Sequence, residues 1–289
     1  MLPSIEFQAR LQARKAEVSA AYPALWSRII QEWKSPGPAN RAWLLYSANY
    51  LFRTDGVRWA LDPLTLDQRL PSAPAVNAAK DLKDLAFVLL THRHKDHFDL
   101  GLIRALRRLP ILWIVPPDLL EPVRGAGLSM RQIIVPRPME KVEIEGLHIT
   151  PFEGQHWEVD PGKPEGRRGV PSTGYLAEFT GRRWLFPGDI RTYDASQLPF
   201  CGDVDGVVLH LWLGRAAALL EKPPLLDAFC RFCRDLHAPR VVVTHLLEWG
   251  RQPSELWLDS HFELVRQQMQ ALSPHVSLTP ALMGESVDL

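Results

Sequence analysis

The sequence predicts a mixed α/β (α+β) fold in which two β-sheets pack face to face with helices outside, an αββα sandwich. Three observations predict it. Short apolar runs dominate each half of the 289-residue chain, with helical segments between and after them. Two pairs of runs flank turn signals, Thr54-Asp55-Gly56 and Thr180-Gly181, and read as hairpins. No repeat and no linker marks a second domain in a chain long enough to bury a substantial core.

Residues 4–34 read as helical, because Ile5, Leu11, Val18, Tyr22, Leu25, Trp26, Ile29, Ile30 and Trp33 recur near helical spacing. Pro23 is expected to split this stretch into two helices, and Ser35-Pro36-Gly37-Pro38 to end it. Residues 1–38 are read as a helical appendage on a domain spanning 39–289. The aromatic face of the appendage suits core packing, and it leaves a lipid surface or a second copy of the chain open as partners.

Residues 43–52 and 57–61 are the strands of the first hairpin. Residues 86–90 are a buried strand, and Asp99 is placed to N-cap a helix at 100–108. A strand at 111–115 and a helix at 117–124 follow, then strands at 132–135, 141–144 and 147–152. Residues 160–169 read as a polar, glycine-rich loop. Residues 174–179 and 183–186 form the second hairpin, and 206–213 a strand. Residues 216–236 are helical with a break at Pro223-Pro224. The pattern closes with a strand at 240–244, a helix at 254–271 and a last strand at 275–278.

Composition narrows the function classes. Lys plus Arg and Asp plus Glu both number 33, so net charge is zero at pH 7, which counts against a nucleic-acid or anionic-membrane binder. Three cysteines argue against a disulfide framework and fit a reducing compartment. Cys230 and Cys233 form C-x-x-C, but with no second pair they read as two thiols on a helix face. The N-terminus lacks an apolar signal-peptide core and carries Glu6 early; no apolar run reaches bilayer length. The cytoplasm is the expected location.

The chemistry concentrates in residues 90–99. His92, His94, Asp96 and His97 form H-x-H-x-D-H within six positions, a density of imidazole and carboxylate that points to metal. His92 and His94, at i and i+2, point the same way in an extended segment. Asp96 and His97 come one step later, where a helix begins, a spacing that suits two adjacent ions better than one. Further ligands are needed, and three candidates sit just past apolar runs: His156, Asp189 and His245.

The order of these motifs resembles the metallo-β-lactamase superfamily. It runs Leu61-Asp62-Pro63, then Thr91-His-x-His-x-Asp-His97, a lone His156, Pro187-Gly188-Asp189 and Thr244-His245. Within that superfamily it is most similar to the L-ascorbate-6-phosphate lactonase branch, and more distantly to the N-acylphosphatidylethanolamine phospholipase D type. The resemblance implies the four-layer αββα sandwich of that family. It implies one metal on His92, His94 and His156, a second on Asp96, His97 and His245, and Asp189 bridging both. Asp62 would hold the ligand turn by hydrogen bonds. Donors of nitrogen and oxygen suit two divalent ions, Zn²⁺ foremost, with Mn²⁺ and Fe²⁺ as alternatives; Cys201 takes no part.

The chemistry so implied is attack by a hydroxide bridging two ions on a lactone, ester or amide of a small, possibly anionic, molecule, with Asp96 also accepting the proton. A phosphodiesterase acting on a phosphorylated substrate is the alternative. A di-iron redox protein ranks lower, because His94 stands where iron-using relatives commonly carry a carboxylate. A non-catalytic binding module ranks last, because every expected ligand is present. His210 keeps two readings: a hydrogen-bonded core histidine, or a pocket residue facing the metals that stabilises an oxyanion or donates to a leaving group. Arg191 is a candidate for binding a phosphate or carboxylate. Trp157 and Tyr193 are candidate pocket walls, and Arg167 and Arg168 lie in the loop where a substrate lid would be. His148, His237, His261 and His275 receive no role.

Overall fold

A computed structural model describes residues 4–66, 69–70, 74–160 and 163–289. Residues 1–3 of the expected appendage and 161–162 of the expected loop lie outside these. The fold is the αββα sandwich. The first sheet contains β1 (Arg41–Leu44), β2 (Tyr50–Thr54), β3 (Val57–Leu61), β4 (Phe87–Leu89), β5 (Leu112–Ile114) and β6 (Ile133–Ile134). The second contains β7 (Val142–Ile144), β8 (Leu147–Glu153), β11 (Thr173–Phe179), β12 (Arg182–Phe186), β13 (Gly206–His210), β14 (Arg240–Thr244) and β15 (Ser277–Pro280). A final strand, β16 (Ser286–Asp288), returns to the first sheet beside β1, giving the order β16-β1-β2-β3-β4-β5-β6. The second sheet runs β15-β14-β13-β12-β11-β8-β7.

Period-two alternation builds the layers. Tyr50, Phe52, Trp59, Leu61, Phe87 and Leu89 face inward and meet Ile149, Tyr175, Ala177, Trp184, Phe186, Val208 and Val242 of the second sheet. Phe52 stacks on Trp59 at 3.8 Å between ring centroids, and both rings meet the edge of Phe186. Leu51, Ala60, Val88 and Trp113 face the other way, under α1 (Ile5–Lys34), α2 (Ala78–Asp81), α3 (Leu100–Leu106) and α4 (Leu120–Gly125). Val207, Leu209, Val241 and Val243 pack under α5 (Leu226–Asp235) and α6 (Asp259–Leu272).

Several boundaries differ from the sequence expectation. The 43–52 run is two antiparallel strands; its turn is apolar enough to hide, and is closed by Leu45 N donating to Asn49 O at 2.7 Å. Residues 160–169 are not a loop. β9 (Trp157–Asp160) and β10 (Lys163–Gly169) form a hairpin held by backbone pairing rather than by an apolar pattern. Strand β13 stops at His210, and the chain after Pro223-Pro224 becomes helical only at Leu226. The helix expected from 254 begins at Asp259 after a short 3₁₀ turn at Pro253–Glu255.

Pro23 does not split the first helix, which runs unbroken for 30 residues. An interior proline costs roughly 3 kcal/mol. Packing on both sides outweighs it: Tyr22, Trp26, Ile29, Ile30 and Trp33 are all buried. The indole of Trp26 donates to Asp81 and that of Trp33 to the carbonyl of Phe52, both at 2.8 Å. The half of the helix before Val18 packs far less, with Ile5 89% exposed. Among the described residues no helix is long and apolar enough to cross a membrane. Cys230 and Cys233 lie buried on α5, where desolvation pushes the Cys230 thiol up to about 12 and raises that of Cys233 as well.

The two ends of α1 therefore contribute unequally. Trp33→Ala is expected to lower the unfolding free energy by about 3–5 kcal/mol, and Ile5→Ala to change it by no more than about 0.5 kcal/mol. Urea titration of both variants measures the difference; equal effects would contradict the burial asymmetry.

Candidate metal centre

Every strand that ends at this site runs in the same direction. β3, β4 and β5 are mutually parallel, as are β12, β13 and β14. Their C-terminal ends deliver Asp62 after β3, His92–His97 after β4, Asp189 after β12, His210 as the last residue of β13, and His245 after β14. His156 follows β8, which shares that direction through its antiparallel pairing with β11. His210 has the inward parity of Val208, so the pleat itself aims its ring between the sheets.

These residues converge. His92, His94, His156 and Asp189 each offer a donor atom within 4.8 Å of the others. A second group of the same tightness is His97, Asp189, His210 and His245. Asp189 belongs to both, and its two oxygens divide the work. Oδ2 faces His156 Nε2 at 3.3 Å and His92 Nε2 at 3.9 Å. Oδ1 faces His97 Nε2 at 3.2 Å, His245 Nε2 at 3.9 Å, and touches His210 Nδ1.

Asp62 sets the aim of the ligand turn. Its carboxylate accepts from the Thr91 amide at 2.7 Å, from the Thr91 hydroxyl, and from His97 Nδ1 at 2.8 Å. That last bond turns His97 Nε2 toward Asp189, the arrangement in which a carboxylate orients a metal-binding imidazole. Asn49 donates to the carbonyls of Asp62 and Asp96, both at 2.7 Å, and ties the same turn to the start of β2. Asp62 and His245 both have positive φ, 44° and 72°, a left-handed conformation that a non-glycine residue keeps only when its surroundings impose it. For His245 the imposition is visible: its amide donates to Ser47 O at 2.7 Å, across the gap between the sheets.

The residues fit divalent metal. Among the described residues, His156 Nε2 and His97 Nε2 are buried without a hydrogen-bond partner, their approaches to Asp189 lying outside hydrogen-bond geometry. Buried polar atoms are rarely left so, and a cation at the centre would satisfy them. His92 Nε2 and His94 Nδ1 lie 3.1 Å apart, two ring nitrogens aimed at one point. Burial drives His92 well below its ordinary value, and burial with the nearby His156 takes His94 down to about 4. Burial and the Arg251 charge take His245 down to about 3. These three are thus held neutral, the form that binds metal. His97 moves the other way, lifted by Asp189 and Asp62 against its burial. Asp189 stays ionised despite burial because His97, His245 and His210 surround it. All donors are nitrogen or oxygen, and no cysteine is near.

Asp96 sits differently from the expectation. Its Oδ2 lies 3.3 Å from His245 Nε2, but its closest group is completed by His245 and Glu248 rather than by Asp189. Arg251 Nη2 is 3.1 Å from Oδ2, and Arg69 Nη2 is 3.3 Å from Oδ1. Glu248, almost fully buried, pairs with both arginines, with Arg69 at 2.7 Å. Burial and Asp96 push its carboxyl up to about 7 against the pull of the two guanidinium groups. Asn49, Arg69, Glu248 and Arg251 were not anticipated. The only sequence signal was the proximity of Glu248 and Arg251 to His245.

The remaining candidates divide between two openings. Arg191, Trp212 and Arg251 wall a cleft over Asp189, His210 and His245 that is closed to about 10 Å³, less than one water. Arg191 lies 4.9 Å over the Trp212 ring and 3.8 Å from Glu158. Trp157 instead lines a cavity of about 590 Å³ with Phe152, Gly154 and Thr173, and the exposed Arg167 stacks on it at 3.9 Å. Arg168 is exposed. Tyr193 is turned into the core behind the site, its hydroxyl donating to Trp212 O at 2.7 Å. His94 is the partly exposed member of the first group. His261, in the first turn of α6, meets the Ala218 carbonyl, and His148 lies on β8 away from the site.

Fold and site together define a centre able to bind metal between two sheets. The Beta-lactamase superfamily domain model matches residues 59–246, which contain every candidate ligand, and the chain belongs to the metallo-β-lactamase superfamily. Among solved structures it is similar to Igni18, a metallo hydrolase from the hyperthermophilic archaeon Ignicoccus hospitalis. That match has 17% identity and a TM-score of 0.62, covering 87% of this chain and 98% of that one. An isothiocyanate hydrolase from Delia radicum gut bacteria is 19% identical with a TM-score of 0.61, covering 86% and 98%. CmlA, a diiron β-hydroxylase from Streptomyces venezuelae, is 16% identical with a TM-score of 0.61, covering 88% of this chain and 55% of that one. No curated protein gives a significant match. At such identities the likenesses carry the fold. Within that fold, the His/Asp cluster is able to bind metal.

Asp62→Ala removes three accepted hydrogen bonds behind the ligand turn. It is expected to weaken metal binding about 10–100-fold, measured by competition with a chromophoric chelator. Unchanged affinity would leave Asp62 with a purely structural part.

Proposed function

We propose that the protein is a two-metal hydrolase that cleaves a lactone, ester or amide in a small anionic molecule. One observation carries this reading: a single buried carboxylate, Asp189, presents one oxygen to each of two groups of imidazoles. Two divalent ions bound there, zinc in the first instance, would supply a nucleophilic water at neutral pH and polarise the oxygen under attack.

The chain's own residues do the rest. His92, His94 and His156 would hold one ion, and His94 is the partly exposed member of that group. His97 and His245 hold the other, and Asp189 fixes the spacing. Asp96, kept ionised by His245, His97 and Arg251 against its burial, is a weak base and contributes charge rather than proton transfer. Arg191, lining the cleft over the second group, favours a substrate with a carboxylate or phosphate. The motif order resembling the L-ascorbate-6-phosphate lactonase branch makes a lactone bearing an anionic group the first substrate to try.

The Arg191 guanidinium also suits a phosphodiester, and this is the second reading. A panel of anionic lactones and esters against bis(p-nitrophenyl) phosphate separates the two. Turnover of neither class by metal-loaded protein would refute both. The di-iron chemistry named for CmlA enters through metal identity: native protein isolated with two irons would support it over hydrolysis.

Two further outcomes are expected. His94→Ala loses metal and hydrolysis together, read by elemental analysis and assay; full metal content with full activity would remove His94 from the ligands. Arg191→Ala raises KM for an anionic substrate about tenfold with kcat nearly unchanged, the signature of lost ground-state binding. An unchanged KM would return Arg191 to the packing of Trp212.

A further inference from the structure

We infer that the second ion is held by His97, Asp189, His210 and His245, with His210 taking the ligand place that the resemblance assigns to Asp96. The inference rests on the two-metal reading above and concerns only who completes the second site.

Geometry points to His210 first. Its ring is buried, it touches the Asp189 oxygen that faces the second group, and its donor atom lies within 4.8 Å of those of His97, Asp189 and His245. The rings of His210 and His245 are almost coplanar in orientation, 4° apart, with centroids at 5.5 Å. His97 is tilted 25° from each, at 5.3 and 5.9 Å. β13 and β14 lie side by side, with His210 opposite Thr244, so adjacent strand ends deliver His210 and His245 together.

Asp96 Oδ2 lies 3.3 Å from His245 Nε2 and 3.7 Å from His97 Nε2, but Asp96 is also held by arginines. Both of its oxygens already face guanidinium groups, and those arginines are themselves only 16% exposed. Arg69, Arg251, Asp96 and Glu248 form a compact set of two cations and two anions. Drawing Asp96 onto a dication would leave two buried arginines sharing one carboxylate beside further positive charge, which low-dielectric surroundings penalise. Arg251 Nη2 also lies 3.2 Å from His245 Nε2, so the guanidinium touches both Asp96 and the imidazole beside it. An imidazole from His210 at that place takes no partner from the arginines. The second site then has three imidazoles and one carboxylate, the same donor count and kind as the first.

The test uses the full chain loaded with cadmium-113 and labelled with ¹⁵N-histidine. Expected is cadmium coupling on ring nitrogens of six histidines, one of which disappears in His210→Gln. Metal content should fall from two ions per chain to one in His210→Ala and stay at two in Asp96→Asn, with circular dichroism verifying that each variant is folded. Six coupled histidines in the wild type support the inference even if Asp96→Asn does not fold. Two bound ions with only five coupled histidines, His210 uncoupled, would overturn it and leave the two-metal reading intact. A wild type that binds a single ion overturns both.

Discussion

The site is organised by the burial of one carboxylate. Asp189 is 7% exposed and has five imidazoles around it, drawn from the ends of β4, β8, β13 and β14. A buried anion with so few formal charges on its neighbours is expensive, because neutral rings compensate it only partly. The histidines cannot all protonate, since desolvation and mutual repulsion hold three of them down. Positive charge between the carboxylate and the rings would complete this compensation.

Support for the ligands comes from both sheets. Asp62 and Asn49 act from the first, and the turn between β1 and β2 reaches across to bind the His245 amide and the Thr244 hydroxyl through one carbonyl, Ser47 O. The sandwich is thus closed at the site end by hydrogen bonds as well as by packing. At the other end of this network Arg69 and Arg251 hold Asp96 and Glu248. Strain at Asp62 and His245 is consistent with residues held by their partners rather than by their own preference.

Much of this was legible in the sequence, for identifiable reasons. Hairpins at Thr54-Asp55-Gly56 and Thr180-Gly181 are local turn chemistry, and the αββα class follows from strand-rich halves. The residues brought together at the centre stood out because histidine and aspartate past the end of an apolar run are unusual there. What was hidden depends on partners far along the chain. β16 offers one apolar residue, Val287, in three, and is a strand because β1 needs an edge partner. β10 is charged and contains glycine, and only β9 makes it extended. Pro23 obeys its helix neighbours because Trp26 and Trp33 are anchored elsewhere. Asn49, Arg69, Glu248 and Arg251 are common residue types in loops, and nothing but the tertiary fold distinguishes them from solvated ones.

The pairing of β16 with β1 also has a bearing on how the chain reaches this state. Arg41 lies opposite Asp288, so the edge of the first sheet is sealed by a segment nearly the whole chain away. Loop-closure entropy of that length is only modestly greater than for a shorter loop, but the contact is among the most non-local in the molecule. Until residues 286–288 are in place, β1 presents an unpaired strand edge while the rest of its sheet can already assemble. Synthesis from the ribosome therefore leaves an open, pairing-competent edge until residues 286–288 emerge, a window in which chaperone protection or self-association competes with completion of the fold.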